Sequence, residues 1–150
     1  MAVDDVTRAL ELPPVSQIGM VVEDAQRTID FFQTMGIGPF RVVDVEPRDI
    51  WDRGEEKPLK FRLAFAQSGQ VQIELIQVVE GDSFHLESLR ERGDNVHHLG
   101  FRVKDYDAKL AQARAMGFEV LQTGPNGRLY AYLDTQRFCG TIIELIEERN

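Results

Sequence analysis

"His98-Leu99-Gly100-Phe101-Arg102-Val103-Lys104-Asp105" repeats, 81 residues on, the pattern of "Gln17-Ile18-Gly19-Met20-Val21-Val22-Glu23-Asp24". Glycine falls on glycine at 19 and 100, valine on valine at 22 and 103, and aspartate on aspartate at 24 and 105. The same offset carries Met35-Gly36 onto Met116-Gly117. A strand, a helix and a helix-ending glycine therefore stay in register, which points to one supersecondary unit used twice.

Each unit opens with apolar alternation, the period-2 sign of a half-buried strand, and continues into an Asp placed to cap a helix. Ala25, Ile29 and Phe32 recur at helical spacing in the first unit, as do Tyr106, Leu110 and Ala113 in the second. Gly36 and Gly117 supply the permissive backbone of a C-terminal stop. Two more strands are legible in each half: Phe61 to Ala66 and Val71 to Ile76, with Gly69 as the turn, and Leu129 to Leu133 and Thr141 to Ile146. The closing strands match at an offset of 70, so the first unit holds 11 extra residues. The stretch from Glu46 to Lys60, rich in charge and proline, is the expected place for them, as a long loop or a lid over a site. Asp82 to Arg92 is expected to be a short linking helix. The predicted fold is α+β, a single domain over 1–150 with a β-α-β-β-β module at 15–80, a linker at 81–95 and a second module at 96–148.

Bulk properties narrow the function. A formal charge of −8 and a pI near 4.9 argue against nucleic acid, which is gripped by lysine and arginine clusters. No apolar run reaches membrane-spanning length, and Met1 to Asp5 has no basic, export-type start. A single cysteine, Cys139, suits a reducing compartment. The expectation is a cytoplasmic protein acting on a small molecule.

Alternation decides which side chains share a face. His97 lies in the apolar row of Leu99, Phe101 and Val103, expected to pack under a helix and to tolerate an apolar replacement. His98 lies on the opposite face with Gly100 and Arg102, at the position equivalent to Gln17. In the closing strands Glu74 and Glu144 occupy equivalent places, Glu144 between Ile142 and Ile146. A carboxylate in such a row is costly to bury unless paired, hydrogen-bonded or bound to a cation. Gln17, Glu74, His98 and Glu144 thus form a donor set for a divalent ion, with Zn, Co, Ni, Mn and Mg all compatible. Single residues have plainer explanations. A strand histidine is more often a packing residue, and either glutamate has a possible arginine partner in Arg62 or Arg102. His85, in the linking helix, is expected to be solvated. Tyr130 and Tyr132 share a face and either line a pocket or simply pack.

The stretches "QIGMVVEDAQRTIDFFQTMGIGPF", "VQIELIQ", "VHHLGFRVKD" and "YAYLDTQRFCGTIIELIE" resemble the vicinal-oxygen-chelate superfamily, which includes glyoxalase I, methylmalonyl-CoA epimerase, extradiol dioxygenases and bleomycin-resistance proteins. Gly36-Ile37-Gly38-Pro39-Phe40 is similar to the epimerase-like branch. The resemblance implies paired modules curling into a cleft, with metal ligands at Gln17, Glu74, His98 and Glu144, and a homodimer. It implies proton abstraction next to a carbonyl, with Glu144 or Glu74 as base, an acyl-CoA thioester as substrate, and Arg102, Tyr130 and Tyr132 as substrate contacts. The chain departs from the epimerase pattern twice. Gln17 stands where epimerases have histidine, as in the Gln-Glu-His-Glu set of eukaryotic glyoxalase I. Lys57-Pro58-Leu59-Lys60 stands where they have a glutamate-bearing run, with Glu55 and Glu56 nearby. The alternatives are a glyoxalase-I-type lactoylglutathione lyase, and a non-catalytic binder of a small hydrophobic molecule in which Tyr130, Tyr132 and Trp51 matter more.

Overall fold

The computed structural model describes residues 9–46, 51–52, 55–56 and 58–149. Module one runs β1 (Gln17–Val21), α1 (Ala25–Thr34), β2 (Arg41–Val45), β3 (Trp51–Asp52), β4 (Glu55–Glu56), β5 (Lys60–Ser68) and β6 (Val71–Glu80). The linking helix α2 (Phe84–Arg92) leads to module two: β7 (Asn95–Val103), α3 (Tyr106–Ala115), β8 (Val120–Thr123), β9 (Tyr130–Leu133), α4 (Gln136–Cys139) and β10 (Ile142–Glu147). Apart from the small β3–β4 pair and the four-residue α4, this is the expected module twice over.

All strands join one sheet in the order β2-β5-β6-β1-β7-β10-β9-β8-β3-β4. Within each module the first strand runs parallel to the last, β1 with β6 and β7 with β10, and the modules meet where β1 and β7 pair antiparallel. Each helix covers the apolar row its module predicts. Ala25 and Ile29 of α1 pack on Val22, Ala64 and Leu75; Tyr106, Leu110 and Ala113 of α3 pack on Val103, Ala131, Leu133 and Leu145. Asp24 caps α1, its carboxylate accepting from the Arg27 amide at 3.2 Å. Asp105 holds the matching position, but its side chain makes no capping bond. Gly36 and Gly117 end the two long helices at φ +79 and +94, where a side chain would be strained.

The extra residues of module one are more than a loop. β3 pairs with β8, Trp51 opposite Thr123, so an insertion in the first module extends the sheet of the second. From Glu46, just past β2 at one sheet edge, to Trp51 at the other, five residues reach at most about 18 Å. The two rims of the sheet therefore face each other across a cleft. The expected lid falls largely on residues 47–50, 53–54 and 57, outside the described residues, as do the side chains of Trp51, Glu55 and Glu56. Among the described residues no helix is long and apolar enough to cross a membrane.

Candidate metal centre and substrate cleft

The four predicted donors converge at the seam between the modules. The His98 Nε2 lies 2.9 Å from Gln17 Oε1, 3.0 Å from Glu144 Oε2 and 3.3 Å from Glu74 Oε1. All four side chains are buried. Gln17 is oriented by donating its amide Nε2–H to Gln72 Oε1 at 2.9 Å, which turns its oxygen toward the imidazole. The alternative pairing of a glutamate with Arg62 is absent, because Arg62 forms its ion pair with Asp44 at 2.9 Å.

Two glycines make this convergence possible, and the repeat explains why both are there. Gly19 lies opposite His98 on β7 and beside Glu74 on β6; Gly100 lies opposite Gln17 on β1 and beside Glu144 on β10. Each glycine therefore sits between a donor from its own module and one from the other. A Cβ on Gly19 would fall 1.9 Å from His98 Cε1, and one on Gly100 would fall 2.7 Å from Ile146 Cδ1 and 3.0 Å from both Gln17 Cβ and Glu144 Oε2. The repeated glycine of the sequence is a clearance for donor side chains.

Hydrogen counting shows what the cluster lacks. A ring nitrogen donates at most one proton, yet three acceptor oxygens surround Nε2, and Glu144 Oε2 is buried with no hydrogen-bond partner. Burial alone would lower the His98 pKa, but the Glu144 and Glu74 carboxylates outweigh it and push it up to about 10. Burial raises the Glu144 pKa; His98 opposes this and Glu74 adds to it. Among the described residues no group of three or more His, Cys, Asp or Glu side chains is spaced to hold a metal ion; the Glu74 and Glu144 oxygens close on the imidazole itself. Donors about 2.1 Å from an ion stand roughly 3.0 Å apart along an octahedral edge and roughly 3.4 Å apart along a tetrahedral one. The three oxygens stand 2.9–3.3 Å from His98 Nε2, that spacing for the edges meeting at the nitrogen. Two carboxylates, an amide oxygen and an imidazole with an orphaned oxygen fit a divalent cation.

His97 packs beneath a helix as expected, against Phe84 and His85 of α2 with ring centroids 4.9 and 4.7 Å away, but it also reaches its neighbour His98. Between Gly19 and Met20 the pairing with β7 jumps from His98 to Val96, leaving His97 as the extra residue of a β-bulge. Alternation fails at a bulge, so neighbouring rings are both buried, at 1% and 0% exposure. His97 Nδ1 is 3.0 Å from His98 Nδ1. If Nε2 held a cation, Nδ1 of His98 would carry the proton and donate to Nδ1 of His97. That would be the orienting contact of a metal-bound histidine; the His97–His98 contact itself already makes His97 more than an apolar packing residue.

His85 is the larger miss. Expected in solvent, it is 2% exposed and packs against Phe61, Phe84, His97 and Tyr132, with ring centroids 5.5, 4.5, 4.7 and 5.3 Å away. Its Nε2 is 3.3 Å from the Tyr132 hydroxyl. Burial, with repulsion from His98 second, pulls its pKa to about 3 and keeps the ring neutral. The signal available in the sequence was the Phe84, His85, Ser88 spacing, the face of α2 that is buried; the charges around it masked this.

The donors stand between two compartments of the cleft. One, about 380 Å³, is polar, with Arg102, Glu147 and Arg149 beyond Gln17, Glu74 and Glu144. The other, about 260 Å³, is mainly apolar, bounded by Val45, Phe61, Leu63, Ile76, His85 and Tyr132, and also touches Glu74 and Glu144. The predicted contacts divide accordingly. Arg102 is on the polar wall, Tyr132 on the apolar wall, and Tyr130 borders both while donating its hydroxyl to Gln122 Oε1 at 2.8 Å. Burial, then the charges of Glu144 and Glu74, hold the Tyr132 pKa well above the usual range, so its hydroxyl keeps its proton.

Comparisons with known proteins agree with this architecture. A Bacillus subtilis protein named uncharacterized protein YqjC is 28% identical over 95 residues, covering 60% of this chain and 67% of that protein. The solved methylmalonyl-CoA epimerase of Streptomyces coelicolor, in complex with 2-nitronate-propionyl-CoA, superposes with a TM-score of 0.67 at 22% identity, covering 92% of this chain and 96% of that one. The Mycobacterium tuberculosis methylmalonyl-CoA epimerase superposes with a TM-score of 0.64 at 20% identity, covering 93% and 90%. At those identities the likeness is one of fold. Residues 16–132 match the profile of one superfamily. By that match this chain, with its paired modules and shared seam, belongs to the glyoxalase/bleomycin resistance protein/dioxygenase superfamily.

Proposed function

We propose that this protein is a divalent-metal-dependent epimerase that removes and returns a proton on the carbon next to a carbonyl, with an acyl thioester of the methylmalonyl-CoA kind as substrate. The supporting observation is the set of three oxygens, from Gln17, Glu74 and Glu144, gathered around an imidazole nitrogen that can satisfy only one of them. When bound, the divalent ion supplies a Lewis acid that takes up charge on the enolate oxygen. Gln17, Glu74, His98 and Glu144 would hold it. Glu144 also suits the work of the base: burial raises its pKa above the usual carboxylate value, and it faces both compartments. Arg102 on the polar wall would orient an anionic group of the substrate, and the apolar wall would exclude water from the exchanging carbon.

Solvent-deuterium incorporation into methylmalonyl-CoA, followed by NMR, tests this. The metal-loaded protein is expected to catalyse exchange, and Glu144→Gln to abolish it while far-UV circular dichroism and bound metal are kept in large part. Undiminished exchange in that variant would remove Glu144 from the role. The inward-turned oxygen of Gln17 favours one second reading, a glyoxalase-I-type lyase, because it completes a Gln-Glu-His-Glu set. Turnover of a methylglyoxal–glutathione hemithioacetal without exchange on the thioester would select it.

A further inference from the structure

We propose that the apolar compartment takes an aromatic or branched substituent carried on the exchanging carbon, so that the preferred substrate is a 2-substituted acyl thioester considerably bulkier than its 2-methyl form. This rests on the proton-abstraction reading of the site. The compartment of about 260 Å³ opens onto Glu74 and Glu144, so a group filling it is attached at or beside the carbon those carboxylates face. An apolar cavity of about 150 Å³ already accommodates a benzene ring. A methyl group would leave most of the space without contacts, and a wall with no partner forfeits its dispersion energy.

The lining also favours a ring. Phe61 meets His85 edge to face at 5.5 Å, and Tyr132 meets His85 edge to face at 5.3 Å. The polar atoms in this wall are turned on one another, His85 Nε2 toward the Tyr132 hydroxyl and Nδ1 toward Ser83 Oγ at 3.5 Å. Ring edges and aliphatic groups remain to meet a ligand. Leu129 borders both compartments and has φ +74. A leucine in that region is strained, and such strain is characteristic of ligand-contacting positions. The polar compartment on the far side of the donors leaves a separate exit for the thioester arm, past Arg102 and Arg149.

Two measurements test the inference. With metal-loaded wild type, deuterium exchange is compared for 2-methyl-, 2-isobutyl- and 2-benzylmalonyl-CoA. The benzyl compound is expected to exceed the methyl compound by at least about ten-fold in kcat/KM, a modest gain for a cavity that discriminates single methylenes. Leu63→Trp, and Val45→Phe should that variant fold poorly, are expected to erase the preference by filling the compartment. Calorimetric titration of free 2-benzylmalonate against 2-methylmalonate reports on the compartment without catalysis, and the same order is expected. Equal or better exchange of the methyl compound overturns the proposal, and so does equal binding of the two malonates. If no thioester exchanges while benzylmalonate binds tighter and loses that advantage in Leu63→Trp, the enolate reading fails and the compartment assignment stands.

Discussion

Replacing Gly19 by alanine places a methyl carbon 1.9 Å from His98 Cε1, 2.2 Å from Nε2 and 2.5 Å from Nδ1. Non-bonded carbons settle near 3.5 Å, so the imidazole must retreat by roughly 1.6 Å. It has nowhere to go, being fully buried between Gln17, Glu74, Glu144 and His97. Overpacking of this kind costs about 3 kcal/mol, the upper end of the usual range. In a His98→Ala background the same methyl meets empty space, and alanine is favoured over glycine in a strand by about 0.5–1 kcal/mol. The cost should then vanish or reverse, giving a coupling of about 3 kcal/mol between positions 79 residues apart in sequence. Urea denaturation of the four metal-free proteins, with constant m-values, measures it. A coupling below about 0.5 kcal/mol would refute the claim that Gly19 exists to clear the ring.

Two further outcomes follow from the same geometry. Elemental analysis and metal titration should show His98→Ala without bound divalent ion and His97→Ala weakened by about 10–100-fold, the usual effect of removing the partner that orients a ligating histidine; the reverse order would put the donor at residue 97. The metal-free protein should be most stable near neutrality. The His98 pKa is raised to about 10, so its pairing with the carboxylates is complete below about pH 6.5 and fades as pH rises through 10. The His85 pKa is lowered to about 3, so its neutral burial contributes fully above pH 6.5 and is lost as pH falls toward 3. Urea midpoints from pH 3 to 10 check both limbs, and His85→Phe should make the acid limb shallower; an unchanged acid limb would show that His85 does not govern it.

Where the sequence could be read, a local rule was enough. Strand alternation assigned Gln17, Glu74, His98 and Glu144 to one face because β1, β6, β10 and the relevant part of β7 are regular there. The 81-residue offset exposed the pairing of Gly19 with Gly100, although why glycine was needed emerged only once the modules were opposed. The contact of His97 with His98 escaped the rule because a one-residue bulge is set by the register with β1, which no local pattern records. His85 escaped because the burial of α2 depends on its packing against strands from both modules. The β3 strand is two residues long and exists through its pairing with β8, so nothing in its own composition announces it.

The β1–β7 seam has a consequence for folding. Each half of the chain contributes two donors, and the main-chain bonds between β1 and β7 are what bring the pairs together. Neither half folded alone would have more than Gln17 with Glu74, or His98 with Glu144. If the four donors hold an ion as proposed, its capture would be a readout of inter-module assembly, and an ion that binds only the assembled state would draw the two halves into one cooperative unit. Opening the seam, even with both modules intact, would separate Gln17 and Glu74 from His98 and Glu144, and so dismantle the proposed site before it dismantled the fold.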